Sequence, residues 1–226
     1  MDIRRQKNDD KFIYFDKKTK KRIKNKRTIK RINNLKIPPN YSKVKISKKN
    51  NSKVQAIGID DKNRKQYIYN KKFIEEQQEI KFQDLISFGK KIKRIRKDYN
   101  RILESDLSID TKEKNISIVL YLLDKCKFRI GTEEYRKKYQ TYGITTLNTN
   151  HLLFRNNNNE KEVEIKFTGK KKVINTTVIK NKNIIKILEI LCKKHKKKDY
   201  IFYYKNERND IYNITSSHIH NYLKKY

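Results

Sequence analysis

Arg64-Lys65-Gln66 runs directly into Tyr67-Ile68-Tyr69, an order of side chains suited to nucleic acid. Tyr67 and Tyr69 stand two residues apart, so on a strand they share one face. Arginine and glutamine can fork to the edges of guanine and adenine, and tyrosine can touch phosphates or bases. An ordinary strand with aromatic faces is the rival reading, above all for Tyr69. Two further cations stand out by position. Arg129 follows an apolar stretch of helical length, which would hold it rigidly, although it could also be one more surface arginine of a basic protein. Lys170 joins Gly169 at the turn between two strand-like runs, with Lys171 and Lys172 as alternatives.

Other chemistries find no support. Glu133 and Glu134 are neighbours on a helix and point apart, so they make no acid pair. His195 lies inside a lysine run without a carboxylate or cysteine partner, and His218 and His220 read as helix-surface residues. Cys126 and Cys192 have no metal-like spacing, so buried thiols in a reducing compartment are the default. Only five glycines occur, and none forms a cofactor-type phosphate loop. No metal and no cofactor are expected.

The balance of charge names a partner. The 226 residues carry a formal net charge of +34. Such self-repulsion is relieved by a polyanion, and lysines at phosphates release condensed counterions. An anionic membrane is the weaker candidate, because no long basic amphipathic helix with an aromatic face occurs. No apolar run approaches membrane-spanning length, and Met1–Asp10 is too charged for a secretory leader.

The elements that must position these residues form an α+β chain. Residues 1–34 are a basic N-terminal segment, with a nearly continuous cationic run from Lys17 to Arg31. Ile29, Ile32 and Leu35 have helical spacing, and Pro38-Pro39 end any helix there. Residues 35–79 read as a small β-rich domain, with turn chemistry at Asp60-Asp61-Lys62-Asn63. Residues 80–226 read as mostly helical. Phe82, Leu85, Ile86, Ile92 and Ile95 make a helical stripe, Ile116–Phe128 a central helix, and Ile184–Cys192 another. Leu147–Phe154 looks extended. Val163–Phe167 and Val173–Val178 flank the Thr168-Gly169-Lys170 turn as a hairpin, and Ser216-Ser217 can cap a last helix.

Three segments in register resemble the type IB DNA topoisomerases of bacteria and large DNA viruses. The first is Leu35-Lys36-Ile37-Pro38-Pro39-Asn40-Tyr41 with Ile57 to Tyr69. The second is Phe128-Arg129-Ile130-Gly131-Thr132-Glu133-Glu134-Tyr135, then Tyr142-Gly143-Ile144-Thr145-Thr146-Leu147 and His151. The third is Ile165-Lys166-Phe167-Thr168-Gly169-Lys170, with a weaker echo at Ser216–Leu223.

The resemblance implies a small β-rich domain and a helical, tyrosine-recombinase-like domain that together clamp double-stranded DNA. It implies relaxation of supercoiled DNA without ATP, through a transient 3′-phosphotyrosyl nick. Arg129 matches the first catalytic arginine, whose fork suits the charge on phosphoryl oxygens. Lys170 matches the lysine that protonates the leaving 5′ oxygen. Arg64, Lys65, Gln66, Tyr67 and Tyr69 fall in the segment that reads the major groove, and Tyr135 matches a DNA contact or is a packing tyrosine. In the family a second arginine, a histidine element and the nucleophilic tyrosine follow the part resembling Ser216–Leu223, and the sequence ends at Tyr226. The chain by itself is therefore expected to be inactive. Either a C-terminal fragment supplies that arginine, histidine and tyrosine, or the chain is a relic that only binds DNA. A tyrosine-recombinase relative and a non-catalytic basic DNA-binding protein are the alternatives. The expected location is with DNA inside a cell, in bacterial cytoplasm or at a viral site.

Overall fold

A computed structural model describes residues 1–9, 11–157, 160–194 and 200–226. The chain is α+β and divides into two compact units, Met1–Ser87 and Phe88–Tyr226. His195 lies outside the described residues.

The first unit is a five-stranded antiparallel sheet with one helix. Its strands are β1 (Ile3–Asn8), β2 (Lys11–Asp16), β3 (Ser42–Ile46), β4 (Val54–Ile59) and β5 (Lys65–Tyr69), in the order β2-β1-β3-β4-β5. Helix α1 (Lys26–Asn34) starts at Asn25, whose side chain accepts from the Thr28 N–H at 2.9 Å. Ile32 from α1 is buried with Ile3, Tyr14, Val44, Ile46 and Ala56 from the sheet. The cationic stretch before the prolines is thus folded: it supplies two strands and the helix. Ile32 belongs to the helical spacing read from the sequence, whereas Ile3 stands alone among polar residues and Phe12-Ile13-Tyr14-Phe15 is a short apolar run without alternation. The arginine Arg5 fixes the chain after α1. Its guanidinium lies 4.1 Å over the Phe12 ring and donates to the Pro38 and Tyr41 carbonyls at 3.0 and 2.5 Å.

Helix α2 (Lys71–Glu104) begins before residue 80, where the helical reading of the sequence starts. Only its later turns, at Ile95, Tyr99 and Leu103, are buried. Helix α3 (Lys112–Cys126) is capped by Thr111 and buries Ile116, Ile118, Val119, Leu120 and Leu122. It stops two residues short of Phe128 because Lys127 turns left-handed, with φ 58°. Beside it, the buried Lys114 ammonium donates to the carbonyls of Ile102, Leu103 and Ser105 at 3.0, 3.0 and 2.7 Å. Ile102 and Leu103 are in the last turn of α2, where carbonyls lack an i+4 partner, and Ser105 follows its last residue.

A short helix α4 (Glu133–Tyr139) follows, then a three-stranded antiparallel sheet of β6 (Leu152–Asn157), β7 (Glu160–Thr168) and β8 (Ile174–Ile179). Of Leu147–Phe154, expected to be extended, Leu152–Phe154 is strand, whereas Thr149–His151 is a 3-10 turn capped by Asn148; another 3-10 turn, Ile144–Thr146, capped by Gly143, precedes it. Helix α5 (Lys182–Lys193) covers the sheet with Ile184, Ile187, Leu188 and Leu191. A small hairpin, β9 (Tyr203–Lys205) and β10 (Ile211–Asn213), leads to α6 (Ser216–Leu223). The cap of α6 is Thr215 rather than Ser216, with His218 closing a capping box. One apolar cluster joins the end of α2 with α3, the three-stranded sheet, α5, β9 and α6.

Candidate active site

The site in the second unit is built by backbone clasps. After α3 ends at Cys126, the chain passes through Phe128 and Arg129 without regular secondary structure. Phe128 anchors this passage edge-on to Phe167 of β7, ring centres 4.9 Å apart. The Arg129 carbonyl accepts from the Ile144 N–H at 2.9 Å, and the Ile130 carbonyl from the Thr145 N–H at 2.8 Å. Two residues earlier, the Tyr142 N–H donates to the Thr168 carbonyl at 2.8 Å. The Arg129 segment and the base of the β7–β8 turn are therefore tied through a single stretch, Tyr142–Thr145.

The turn is closed by its own bonds. The Gly169 N–H reaches the Val173 carbonyl at 2.8 Å, and the Lys172 N–H reaches the Gly169 carbonyl at 3.0 Å. Asn175 donates its side-chain amide to Val173 O at 3.0 Å. A Cβ on Gly169 would meet that amide at 2.2 Å, so a side chain has no room there. Lys171 and Lys172 both take positive φ, near 60°.

A pocket of about 380 Å³ opens between these parts. Arg129, Lys170 and Lys171 all line it, with Tyr142, Phe167 and Asn175. Lys172 is not among the lining residues. Among the described residues no hydrogen bond or ion pair engages the Arg129 guanidinium or the Lys170 ammonium. Three cations thus face one concavity with no carboxylate among its lining residues, an arrangement that costs repulsion unless an anion enters. Tyr142, Phe167 and Asn175 carry no role in the sequence reading. The first two lie inside the quoted motifs, and nothing in the sequence marks Asn175.

Behind the pocket, His151 stacks edge-on to Tyr142, 4.4 Å between ring centres, and 6.2 Å from Phe167. Its Nδ1 accepts from the Asn148 N–H at 3.1 Å. Burial lowers its pKa to about 4, so the ring is neutral at pH 7. Glu133, next to the second glutamate, holds the Arg136 fork at 3.1 and 2.8 Å and accepts from the Tyr200 hydroxyl. The Arg136 bond is the main reason the Glu133 carboxyl is held down to about 2. Tyr135 is exposed, 5.6 Å from the Tyr139 ring, on the surface of α4. Tyr226 is not frayed: its hydroxyl donates to Asp98 and its ring lies under Arg94.

The second candidate surface is β5. Alternation puts Lys65, Tyr67 and Tyr69 on the exposed face, and Ile68 against the core. The two tyrosine rings stack at 6.2 Å, and the Lys65 ammonium lies 5.3 Å over Tyr67. Tyr67 and Tyr69 are 44% and 41% exposed, an unusual display of aromatic area on a strand. Arg64 and Gln66 differ. Asp60 holds both: Arg64 Nε and Gln66 Nε2 each donate to its Oδ2 at 2.9 Å. The Arg64 fork holds the Asp60 carboxyl well below its usual range. The same aspartate accepts from the Lys62 and Arg64 N–H groups and so makes the turn before β5. Among the described residues no cluster of His, Cys, Asp and Glu could hold a metal ion. Nor is any helix among them long and apolar enough to cross a membrane.

Two family models match this chain. A family model described as eukaryotic DNA topoisomerase I, catalytic core, matches residues 70–226. Another, described as bacterial DNA topoisomerase IB, N-terminal domain, matches residues 11–60. The chain is 36% identical over 150 residues to DNA topoisomerase 1B of Acanthamoeba polyphaga mimivirus, covering 66% of this chain and 44% of that protein. It is 27% identical over 129 residues to DNA topoisomerase I of Monkeypox virus, covering 56% and 38%. With DNA topoisomerase 1B of Vaccinia virus (strain Copenhagen) it shares 26% over 129 residues, covering 56% and 38%. The matched segment is thus less than half the length of each of these relatives.

Proposed function

This chain belongs to the type IB DNA topoisomerase family, and we propose that it grips duplex DNA and supplies part of the centre that nicks and reseals one strand. The family's reaction exchanges one phosphodiester for another: a tyrosine oxygen bonds to phosphorus and a 5′ oxygen leaves with a proton. No bond energy is lost, so ATP is not needed. The observation that carries the proposal is the shared pocket of Arg129 and Lys170, free of any protein counter-ion among the described residues. A backbone phosphate fits as the missing anion. Arg129 donates to its non-bridging oxygens, where charge grows in the transition state. Lys170 gives the proton to the leaving oxygen, and Lys171 is its neighbour in the same wall. The second arginine, the histidine and the nucleophilic tyrosine then come from polypeptide outside these 226 residues, continuous with them or separate.

Lys65, Tyr67 and Tyr69 form the DNA-facing side of β5, with Lys65 on phosphate. Arg64 and Gln66 read bases only after leaving Asp60. Tyr135 extends the contact beside Arg129. The protein acts wherever its host or virus keeps DNA. The match of residues 11–60 to a topoisomerase IB N-terminal domain favours this reading over a recombinase relative.

A duplex carrying an abasic aldehyde tests it. Borohydride traps the imine formed by a lysine at the backbone, and peptide mapping locates it. Conjugates concentrated at Lys170 or Lys171 are expected. Conjugates spread only over other lysines would remove this pocket from the site.

A further inference from the structure

The first unit holds a second concavity, a groove of about 710 Å³ between α1 and the end of β5. Arg27, Lys30 and Arg31 of α1 form one wall, and Tyr69, Lys71 and Ile74 the other. Leu35 and Ile68 give it an apolar floor. No carboxylate lines it.

The three α1 cations are not equivalent. Arg31 is committed to the fold: its guanidinium donates to Gln55 Oε1 at 2.7 Å and to the Ser47 carbonyl at 2.6 Å. Gln55 is 2% exposed, and its amide is held by the carbonyls of Lys49, Asn50 and Ser52. Arg27 and Lys30 are exposed, and among the described residues neither has a hydrogen bond or ion pair. Three positions apart, they share one face of α1. No carboxylate lining the groove relieves the repulsion between them, and Lys71 across it pairs with Glu75 outside the lining at 3.6 Å.

Tyr69 belongs to both the groove and the exposed face of β5. We propose that the groove takes the sugar–phosphate backbone of one strand of duplex DNA, continuing the contact made by Lys65, Tyr67 and Tyr69. Arg27 and Lys30 meet phosphates, and the apolar floor meets the deoxyribose between them. This rests on the DNA-binding role of β5 given above. Arg31 is a positioning residue that fixes α1 and makes no contact of its own.

The test is fluorescence anisotropy of a labelled duplex over a range of NaCl concentrations, with the intact chain. Each phosphate contact contributes about 0.9 to the slope of log K against log salt. Arg27→Ala/Lys30→Ala should flatten the slope by about two, with Tm unchanged because both side chains are exposed. A control pair on the far strands, Lys7→Ala/Lys11→Ala, should leave the slope as it is. An unchanged slope for the first pair, or equal flattening by the control pair, overturns the groove. Flattening seen with single-stranded oligonucleotide but not with duplex overturns it too. If Lys65→Ala flattens the slope while the α1 pair does not, the groove alone is wrong and β5 stands. If the chain shows no salt-dependent DNA binding, both proposals fall.

Discussion

Gly131 and Gly143 meet backbone to backbone. A Cβ on Gly143 would lie 2.5 Å from the Gly131 nitrogen and 2.7 Å from the Arg129 carbonyl oxygen. Gly131 also takes φ +85°, where other residues are strained. The closeness of these two glycines is what lets Ile144 and Thr145 bond the Arg129 and Ile130 carbonyls.

Gly143→Ala should therefore push the Arg129 segment away from its clasp. Overpacking of this kind costs about 1–3 kcal/mol, so Tm should fall by several degrees. Thermal unfolding checks this. A Tm equal to that of the parent would mean that the clasp is looser than described.

Arg129→Ala should leave duplex affinity nearly intact, since one cation among many is lost. Cleavage is different. With a complementing C-terminal segment present, the rate should drop at least about 100-fold, as when one donor to a developing oxyanion is removed. Single-turnover nicking of a suicide duplex measures it, and an unaltered rate takes Arg129 out of the centre.

Lys65→Ala should weaken binding alike on all sequences and flatten the salt slope by about one unit. Asp60→Asn should do something else. It loosens the hold on Arg64 and Gln66, so preference among duplex sequences should change more than the salt slope does. Binding to a small panel of duplexes separates the two. Identical profiles for both variants would deny the difference in their surroundings.

His151 offers a pH test. Its folded pKa of about 4 lies below the unfolded value of about 6.5. The unfolded chain then binds more protons between these values, so stability is full above pH 6.5 and is lost as pH falls toward 4. His151→Gln, which cannot be protonated, should flatten Tm against pH in that window. An unchanged profile would show that His151 titrates alike in both states.

Much of this was legible in the sequence because the signals were local. Gly169-Lys170 between strand-like runs gave the hairpin, and Asp60 to Asn63 gave the turn. Arg129 after an apolar run gave a fixed arginine. The basic first strands were not legible, since Ile3 and Tyr14 are buried through pairing between β1, β2 and β3, which no single window contains. Asn175 differs: its amide reaches the Val173 carbonyl only two residues back, but nothing in its residue type marks that bond. Asp60 illustrates the reverse error. Arg64 and Gln66 look like free base readers as residue types, and the turn that precedes them already holds both.

Lys114 has a consequence of a different kind. Its amine is enclosed by three carbonyls in a chain whose other lysines mostly face water. An acylating reagent should label those quickly and reach Lys114 only when the α2–α3 junction opens. The lag of that one site then becomes a clock for local opening, readable by mass spectrometry without any engineered probe. Because the junction lies in the same unit as Arg129 and Lys170, the clock would report whether occupation of their pocket by DNA stiffens the unit that holds them.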